Sequence, residues 1–117
     1  MDVTCSTDPS LKGTVVALVG HLDLDGSAQA REAVLPWIVP ESPSLLLDLR
    51  GVDWMSSAGV RVLMQFLARV QGHGGRFAVV GCAPRVRSIL QICGLEAVFA
   101  LCGSDDEARE RLKSKTA

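Results

Sequence analysis

The chain is poor in aromatic residues, which make up 4% of its 117 residues, and it contains no tyrosine. Its core must therefore be built mainly from Val, Leu, Ile and Ala, in a composition that is 48% hydrophobic. That apolar content argues against global disorder, and the length suits one compact domain. We expect residues 1–117 to form a single domain.

The chain also lacks an excess of positive charge and a long hydrophobic run. Lys and Arg number 12 against 13 Asp and Glu, the formal net charge is −1, and no basic stripe stands out. Nucleic-acid binding therefore lacks its usual electrostatic footprint, and the apolar runs are too short to span a bilayer. The first residues lack the charged start and apolar stretch of a secretory signal, so we expect a cytoplasmic protein without membrane insertion.

Motifs for metal, redox and hydrolytic chemistry are missing as well. The four cysteines form no C-x-x-C pair, and the two histidines, His21 and His73, are scattered. Neither a G-x-S-x-G elbow nor a G-x-x-x-x-G-K-[ST] phosphate loop is present. We therefore expect reduced cysteines that are mostly packed as small hydrophobes, no metal site and no cofactor.

What the chain does contain is an alternation of strand-like and helix-like segments. The apolar periodicity predicts strands over 1–6, 14–19, 44–49, 76–80 and 97–101, and helices over 26–38, 56–71, 84–93 and from Ser104 onward. Pro36 is expected to end or kink the first helix. This order is typical of an α/β protein with a largely parallel sheet covered by helices.

Three connections from a strand to a helix should meet at one edge of that sheet. They are Gly20 to Asp25, Arg50 to Ser57 and Gly81 to Pro84. Open α/β sheets place their sites at the carboxyl ends of the strands. We therefore expect Asp23 to lie near the adjacent serines Ser56 and Ser57.

The two serines occupy a predicted helix N-terminus, where unpaired N–H groups and the helix dipole favour an anion. A hydroxyl there can be a cap, a nucleophile or a phosphoacceptor, and the pattern alone favours a cap at Ser57. A catalytic serine is disfavoured, because neither histidine has a sequence context that would make it the general base for a serine nucleophile. Asp23 reads as a turn former or cap, while Arg61, one turn into the helix, could contact a partner.

Several segments resemble STAS domains, the anti-sigma factor antagonists of bacteria. Gly20-His21-Leu22-Asp23 resembles their G-x-L-D motif, and Val52 to Val62 resembles their phosphorylation-site segment, usually D-S-[SA]-G-[LV] at its centre. Further similarity lies in the central strand, the strand that follows and the helix after it, at 45–49, 74–81 and 86–98. The resemblance covers about Thr14 to Phe99.

The resemblance implies a mixed, mostly parallel sheet with helices packed on one side. It implies that Ser57 is phosphorylated by a partner that is both anti-sigma factor and GHKL-type serine kinase, and that a metal-dependent serine phosphatase reverses the mark. Ser56 stands where the family usually has aspartate, and it is the alternative acceptor. Asp23 is implied to lie beside the phosphorylation site. The expected partner-binding surface comprises Asp23, Ser56, Ser57, Ala58, Gly59 and Arg61.

No enzymatic activity of the chain itself is implied. The alternative is a STAS scaffold subunit of a transport ATPase, a secretion system or a signalling complex. In that case Ser57 is only a cap and is not phosphorylated. The oligomeric state stays open.

Overall fold

The computed structural model describes residues 1–96, 98–99 and 101–113. Strands and helices alternate in the predicted order, with short 3-10 turns at Pro9–Leu11 and Leu35–Trp37. The elements are β1 (Asp2–Asp8), β2 (Gly13–Leu22), α1 (Leu24–Val34), β3 (Ser44–Met55), α2 (Ser57–Gly72), β4 (Phe77–Val80), α3 (Pro84–Ile92), β5 (Leu101–Cys102) and α4 (Asp105–Lys113).

The strands form one five-stranded sheet in the order β1-β2-β3-β4-β5. β1 runs antiparallel to β2, and every other neighbouring pair is parallel. The predicted fold class, a mixed and mostly parallel α/β sheet, is therefore confirmed. Because β2, β3 and β4 are parallel, the connections that leave them meet at one edge of the sheet.

The sheet is buried on both faces, as the apolar run in β3 predicts. Leu45, Leu47 and Leu49 point into the larger core, which contains buried residues of α1, α2 and α3. Leu46 points into a smaller core on the other face, with residues of α4. The expectation that the helices pack on one side is corrected for α4, because Ala108 and Leu112 cover this second face.

Several element ends differ from the predictions. β3 continues six residues beyond Leu49, to Met55, because the long strand β2 pairs with it as far as Leu22. α1 ends at Val34, and Pro36 lies in the 3-10 turn that follows. Proline cannot continue an α-helix, so the expectation that Pro36 ends the helix is confirmed. The final strand comprises Leu101–Cys102 rather than 97–101. Ala97 and Ala100 of that prediction lie outside the described residues.

Two ion pairs hold α4 to the rest of the fold. Arg50 of β3 donates to both Asp48 and Asp105, at N–O distances of 2.8 and 3.1 Å. These hydrogen bonds from Arg50 hold the pKa of Asp48 below its ordinary value. Arg109 donates to Asp8 at 2.6 Å, and hydrogen bonds from the Ser10 side chain and then from Arg109 lower the pKa of Asp8.

None of the described helices is long and apolar enough to cross a bilayer. All four cysteines are free. Cys102 is buried, Cys5 and Cys82 are half-buried, and Cys93 is exposed, which agrees with the expectation that most of the thiols are packed. Burial raises the pKa of the Cys82 thiol to about 11, so this sulfur stays protonated at neutral pH.

Candidate functional site

The site begins where β2 and β3 end side by side. Leu22 is the register partner of Met55, so the next residues, Asp23 and Ser56, leave the sheet together. The backbone N–H of Ser56 donates to the Leu22 carbonyl at 2.9 Å. This arrangement confirms that the two connections expected to be neighbours do meet at the carboxyl edge of the sheet.

Ser56 is the N-cap of α2. Its hydroxyl oxygen accepts from the backbone N–H groups of Ala58 and Gly59, at 3.2 and 3.4 Å. The same hydroxyl donates its proton to the Leu22 carbonyl at 3.0 Å. The sequence pattern placed the cap at Ser57, and the structure corrects this by one residue, because β3 reaches Met55 and α2 begins at Ser57.

Ser57 is the first residue of α2, and its side chain is exposed. No hydrogen bond to its hydroxyl is found in the part of the chain that the structure describes. The first turn of α2 carries no acidic residue, so nothing within that turn offsets the positive end of the helix dipole. The Ser57 hydroxyl is therefore accessible from solvent at the start of α2.

Gly59 brings the start of α2 against the end of β2. A Cβ atom at this position would lie 2.7 Å from the Met55 Cγ and 2.8 Å from the Leu22 carbonyl oxygen. Such distances are below van der Waals contact, so any larger residue would push the helix away. The predicted site residue Gly59 thus sets the position of Ser57 by close approach, without offering a functional group itself.

Asp23 caps the neighbouring helix. Its Oδ1 accepts from the Gly26 backbone N–H at 2.7 Å, which confirms the reading of Asp23 as a cap. The residue remains exposed at the edge of the sheet. Both helices that flank the β2–β3 edge therefore begin with a side-chain cap, one from a carboxylate and one from a hydroxyl.

An open depression of about 730 Å³ lies at the same edge. Residues that follow or end β2, β3 and β4 line it, as the clustering of the three connections predicts: His21, Asp23, Asp53, Trp54, Ala83, Pro84 and Arg85. The His21 Nδ1 lies 2.7 Å from the Asp53 Oδ1, and both side chains are more than 60% exposed. Ser57 does not line this depression.

Ala58 and Arg61 belong to a different feature, a narrower groove between α1 and α2. Arg61 is exposed, and it makes no ion pair with any described residue. The predicted partner-binding residues therefore follow the starts of α1 and α2 and continue into that groove. They do not surround one closed pocket.

Sequence reasoning assigned no role to three residues of the depression, Asp53, Trp54 and Arg85. Asp53 lies in β3 and pairs with His21. Trp54 is 40% exposed beside them, and Arg85 follows β4. The signal for these residues is the strand register that aligns His21 with Trp54. That register depends on irregular pairing between Ala17 and His21, which a sequence pattern does not reveal.

The geometry gives the serine pair no catalytic partner. Within residues 1–96, 98–99 and 101–113, neither Ser56 nor Ser57 hydrogen-bonds a histidine. In the same residues, no group of three or more His, Cys, Asp or Glu side chains could hold a metal ion. The arrangement offers an exposed hydroxyl on a capped helix, together with a surface of mixed charge around it.

Known proteins resemble this chain in sequence or in fold. The anti-sigma-F factor antagonist RsfB of Mycobacterium tuberculosis is 26% identical over 87 residues, covering 74% of this chain and 70% of that protein. An anti-sigma-factor antagonist domain protein from Planctomyces limnophilus superposes with a TM-score of 0.82 at 21% identity, covering 95% of this chain and 97% of that one.

The Bacillus protein SpoIIAA, an anti-sigma factor antagonist, has been solved unphosphorylated and phosphorylated. Its unphosphorylated form superposes with a TM-score of 0.81 at 19% identity, covering 99% of this chain and all of that one. A family model described as "Mlab, STAS domain" matches residues 5–102, from within β1 to the end of β5. With this match over most of its length, the chain belongs to the STAS domain family.

Proposed function

We propose that the chain is an anti-sigma factor antagonist that binds an anti-sigma factor of the GHKL serine-kinase type and is switched off by phosphorylation of Ser57. The observation that carries the proposal is the exposed hydroxyl of Ser57 at the start of α2, which makes no hydrogen bond with any residue that the structure describes. RsfB is named an anti-sigma-F factor antagonist and SpoIIAA an anti-sigma factor antagonist, and SpoIIAA has been solved in a phosphorylated form. The chain acts in this proposal as a cytoplasmic regulator, not as an enzyme.

The hydrogen bonds favour Ser57 over Ser56 as the acceptor. The Ser56 hydroxyl accepts from two backbone N–H groups and donates to the Leu22 carbonyl. A phosphoryl group on Ser56 would remove that donated proton and place its charge beside the carbonyl. Ser57 can be modified without the loss of any bond, so the cap at Ser56 survives phosphorylation of its neighbour.

Ser56 also accounts for the missing aspartate of the motif. An aspartate could cap α2 as an acceptor, but it could not donate to the Leu22 carbonyl as the Ser56 hydroxyl does at 3.0 Å. The exchange keeps the cap and removes one negative charge from the position before the acceptor. The unmodified docking surface (Asp23, Ser56, Ser57, Ala58, Gly59 and Arg61) is less acidic as a result.

Phosphorylation would act on binding and leave the fold intact. A phosphoryl group adds roughly −1.5 to −2 of charge, which the positive end of the helix dipole stabilises. The same charge and its hydration shell would have to be desolvated in a complex, and they would repel acidic groups of the partner. A metal-dependent serine phosphatase would restore the binding form.

The second candidate is an unphosphorylated STAS scaffold subunit of a transport, secretion or signalling complex. Two observations support it: the matching family model is described as "Mlab, STAS domain", and Ser56 replaces the usual acid of the phosphorylation motif. In this alternative the cap at Ser56 is the sole role of the serine pair. Firm binding to a transport ATPase, without phosphate transfer from any encoded serine kinase, would favour it.

Ser57→Asp tests the switch by imitating the charge. We expect this variant to fold as the wild type does, because a carboxylate is favourable at the first turn of a helix. It should lose at least about a hundredfold in affinity for the anti-sigma factor, equivalent to roughly 3 kcal/mol. Ser57→Ala, the matched neutral control, should retain binding. Calorimetric titration with the GHKL-type kinases of the same genome measures both, and equal affinity of Ser57→Asp and wild type contradicts the proposal.

A further inference from the structure

The groove between α1 and α2 encloses about 180 Å³ and begins beside the serine pair. Both helices line it with residues spaced i, i+3, i+4 and i+7, starting at Leu24 in α1 and Ala58 in α2. Such spacing places each set on one helix face. Leu24, at one end of the groove, is 75% exposed.

Two polar groups in the groove lack the hydrogen bonds that burial demands. Ser27 is 2% exposed, and its hydroxyl finds no partner among the described residues. The Oε1 of Gln65, on the facing helix, is likewise shielded and unpaired in that part of the chain. Leaving a buried donor or acceptor unpaired costs about 1–3 kcal/mol, so both groups are suited to a ligand that would satisfy them.

The charges around the groove favour an anionic ligand. Arg31 of α1 and Arg61 of α2 both line it, and neither makes an ion pair with any described residue. Asp25 supplies the one negative charge of the lining, so the groove carries a net positive charge of one. An arginine fork binds a carboxylate through two parallel hydrogen bonds.

We propose that this groove receives a carboxylate side chain from the anti-sigma factor, an inference that rests on the function proposed above. Arg31 and Arg61 bind the carboxylate, and the Ser27 hydroxyl donates a hydrogen bond to it. The Gln65 Oε1 accepts a backbone N–H of the same partner segment. Leu24 packs against an apolar neighbour of the acidic residue.

In this proposal, Arg61 links phosphorylation of Ser57 to the binding of the partner. Arg61 is four residues after Ser57 on the same helix, and side chains at this spacing are neighbours. A phosphoryl group on Ser57 competes with the partner's carboxylate for the Arg61 guanidinium. The modification thereby withdraws one of the two cations of the groove.

Ser27→Ala and Ser42→Ala form a matched pair that separates binding from folding. The hydroxyls of Ser27 and Ser42 are both buried and unpaired in the described chain, but Ser42 lies outside the groove. Both variants should unfold at the same or a higher denaturant concentration than wild type, because each removes an unsatisfied polar atom. Only Ser27→Ala should weaken binding to the anti-sigma factor, by roughly tenfold, as expected for a lost hydrogen bond to a charged group.

Arg61→Glu and Lys113→Glu form a second pair with equal changes in net charge. Lys113 ends α4 on the opposite face of the sheet, so its variant should bind as wild type does. Arg61→Glu should bind at least about tenfold more weakly and lose part of the salt dependence of binding. Calorimetric titration against the GHKL-type kinases of the same genome measures all four variants.

The outcomes are distinct. If wild type binds and both Ser27→Ala and Arg61→Glu bind within twofold of it, the groove is not the carboxylate site, although the proposed function stands. A fifth variant, Leu24→Ala, enters the same titration as a test for an apolar occupant. If it alone weakens binding, the groove holds an apolar side chain, and the carboxylate proposal is overturned. If unmodified wild type binds none of these kinases, the proposed function fails, and the groove loses its proposed occupant with it.

Discussion

At the scale of single residues, two adjacent serines have different environments because they differ by one position at a helix start. Ser56 is committed to three hydrogen bonds, whereas Ser57 has an exposed hydroxyl with none in the described chain. Sequence patterns could locate the pair at a helix N-terminus. They could not decide which serine caps the helix, because that depends on where β3 ends, and pairing with β2 sets that point.

Substituting each serine by alanine should separate the two roles. Ser56→Ala should lower the free energy of unfolding by about 1 kcal/mol, since it removes a helix cap. Ser57→Ala should change it by less than about 0.5 kcal/mol, as is usual for exposed positions. Urea unfolding followed by circular dichroism measures both. A larger loss for Ser57→Ala than for Ser56→Ala would contradict the assignment of the cap.

At the scale of elements, α2 carries the candidate site, and Gly59 allows it to pack closely against the end of β2. The sequence predicted this helix within one residue at each end, 56–71 against Ser57–Gly72. The spacing of its apolar residues predicts one buried stripe, formed by Val60, Leu63, Met64, Leu67 and Val70. In the structure Met64 is 41% exposed, whereas Val62 and Phe66, outside that stripe, are buried. Periodicity locates an amphipathic helix, but α1 on one side and the sheet beneath decide which residues at the stripe's margins are covered.

Two glycines of α2 provide a matched test of how closely this helix packs against the sheet. Gly59→Ala should destabilise the fold by about 1–3 kcal/mol, because the new methyl group would overlap Met55 and the Leu22 carbonyl. Gly72→Ala, at the other end of the helix with no atom within 4 Å of the added carbon, should be neutral or stabilising by up to about 1 kcal/mol. Denaturant midpoints compare them, and equal effects would show that Gly59 makes no close approach.

At the scale of the whole molecule, contacts between residues far apart in sequence hold the elements together. The alternation of elements sufficed to predict a mostly parallel sheet and the meeting of its connections at one edge. It could not predict that α4 covers the opposite face, since Arg50–Asp105 and Asp8–Arg109 join residues 55 and 101 positions apart. The His21–Asp53 pair escaped prediction for a similar reason, because irregular strand register produces it.

The Asp48–Arg50–Asp105 network should make stability depend on acid pH. The pKa of Asp48 is lowered in the folded state, so its carboxylate stabilises the fold above its unfolded value of 3.8. That contribution is lost as the pH falls through the lower, folded pKa. Thermal unfolding between pH 7 and pH 2 should show a shallower acid decline for Asp48→Asn and Arg50→Gln than for wild type. An unchanged decline in both variants would show that the network contributes nothing.

The central claim is that Ser57 is the residue whose modification controls the protein. Its most direct test is incubation of wild type, Ser57→Ala and Ser56→Ala with the GHKL-type serine kinases of the same genome and ATP, read by intact mass and fragmentation. We predict one phosphate on wild type, located at Ser57, none on Ser57→Ala, and retained modification of Ser56→Ala. A phosphate mapped to Ser56, or no phosphate from any of these kinases, would contradict the account.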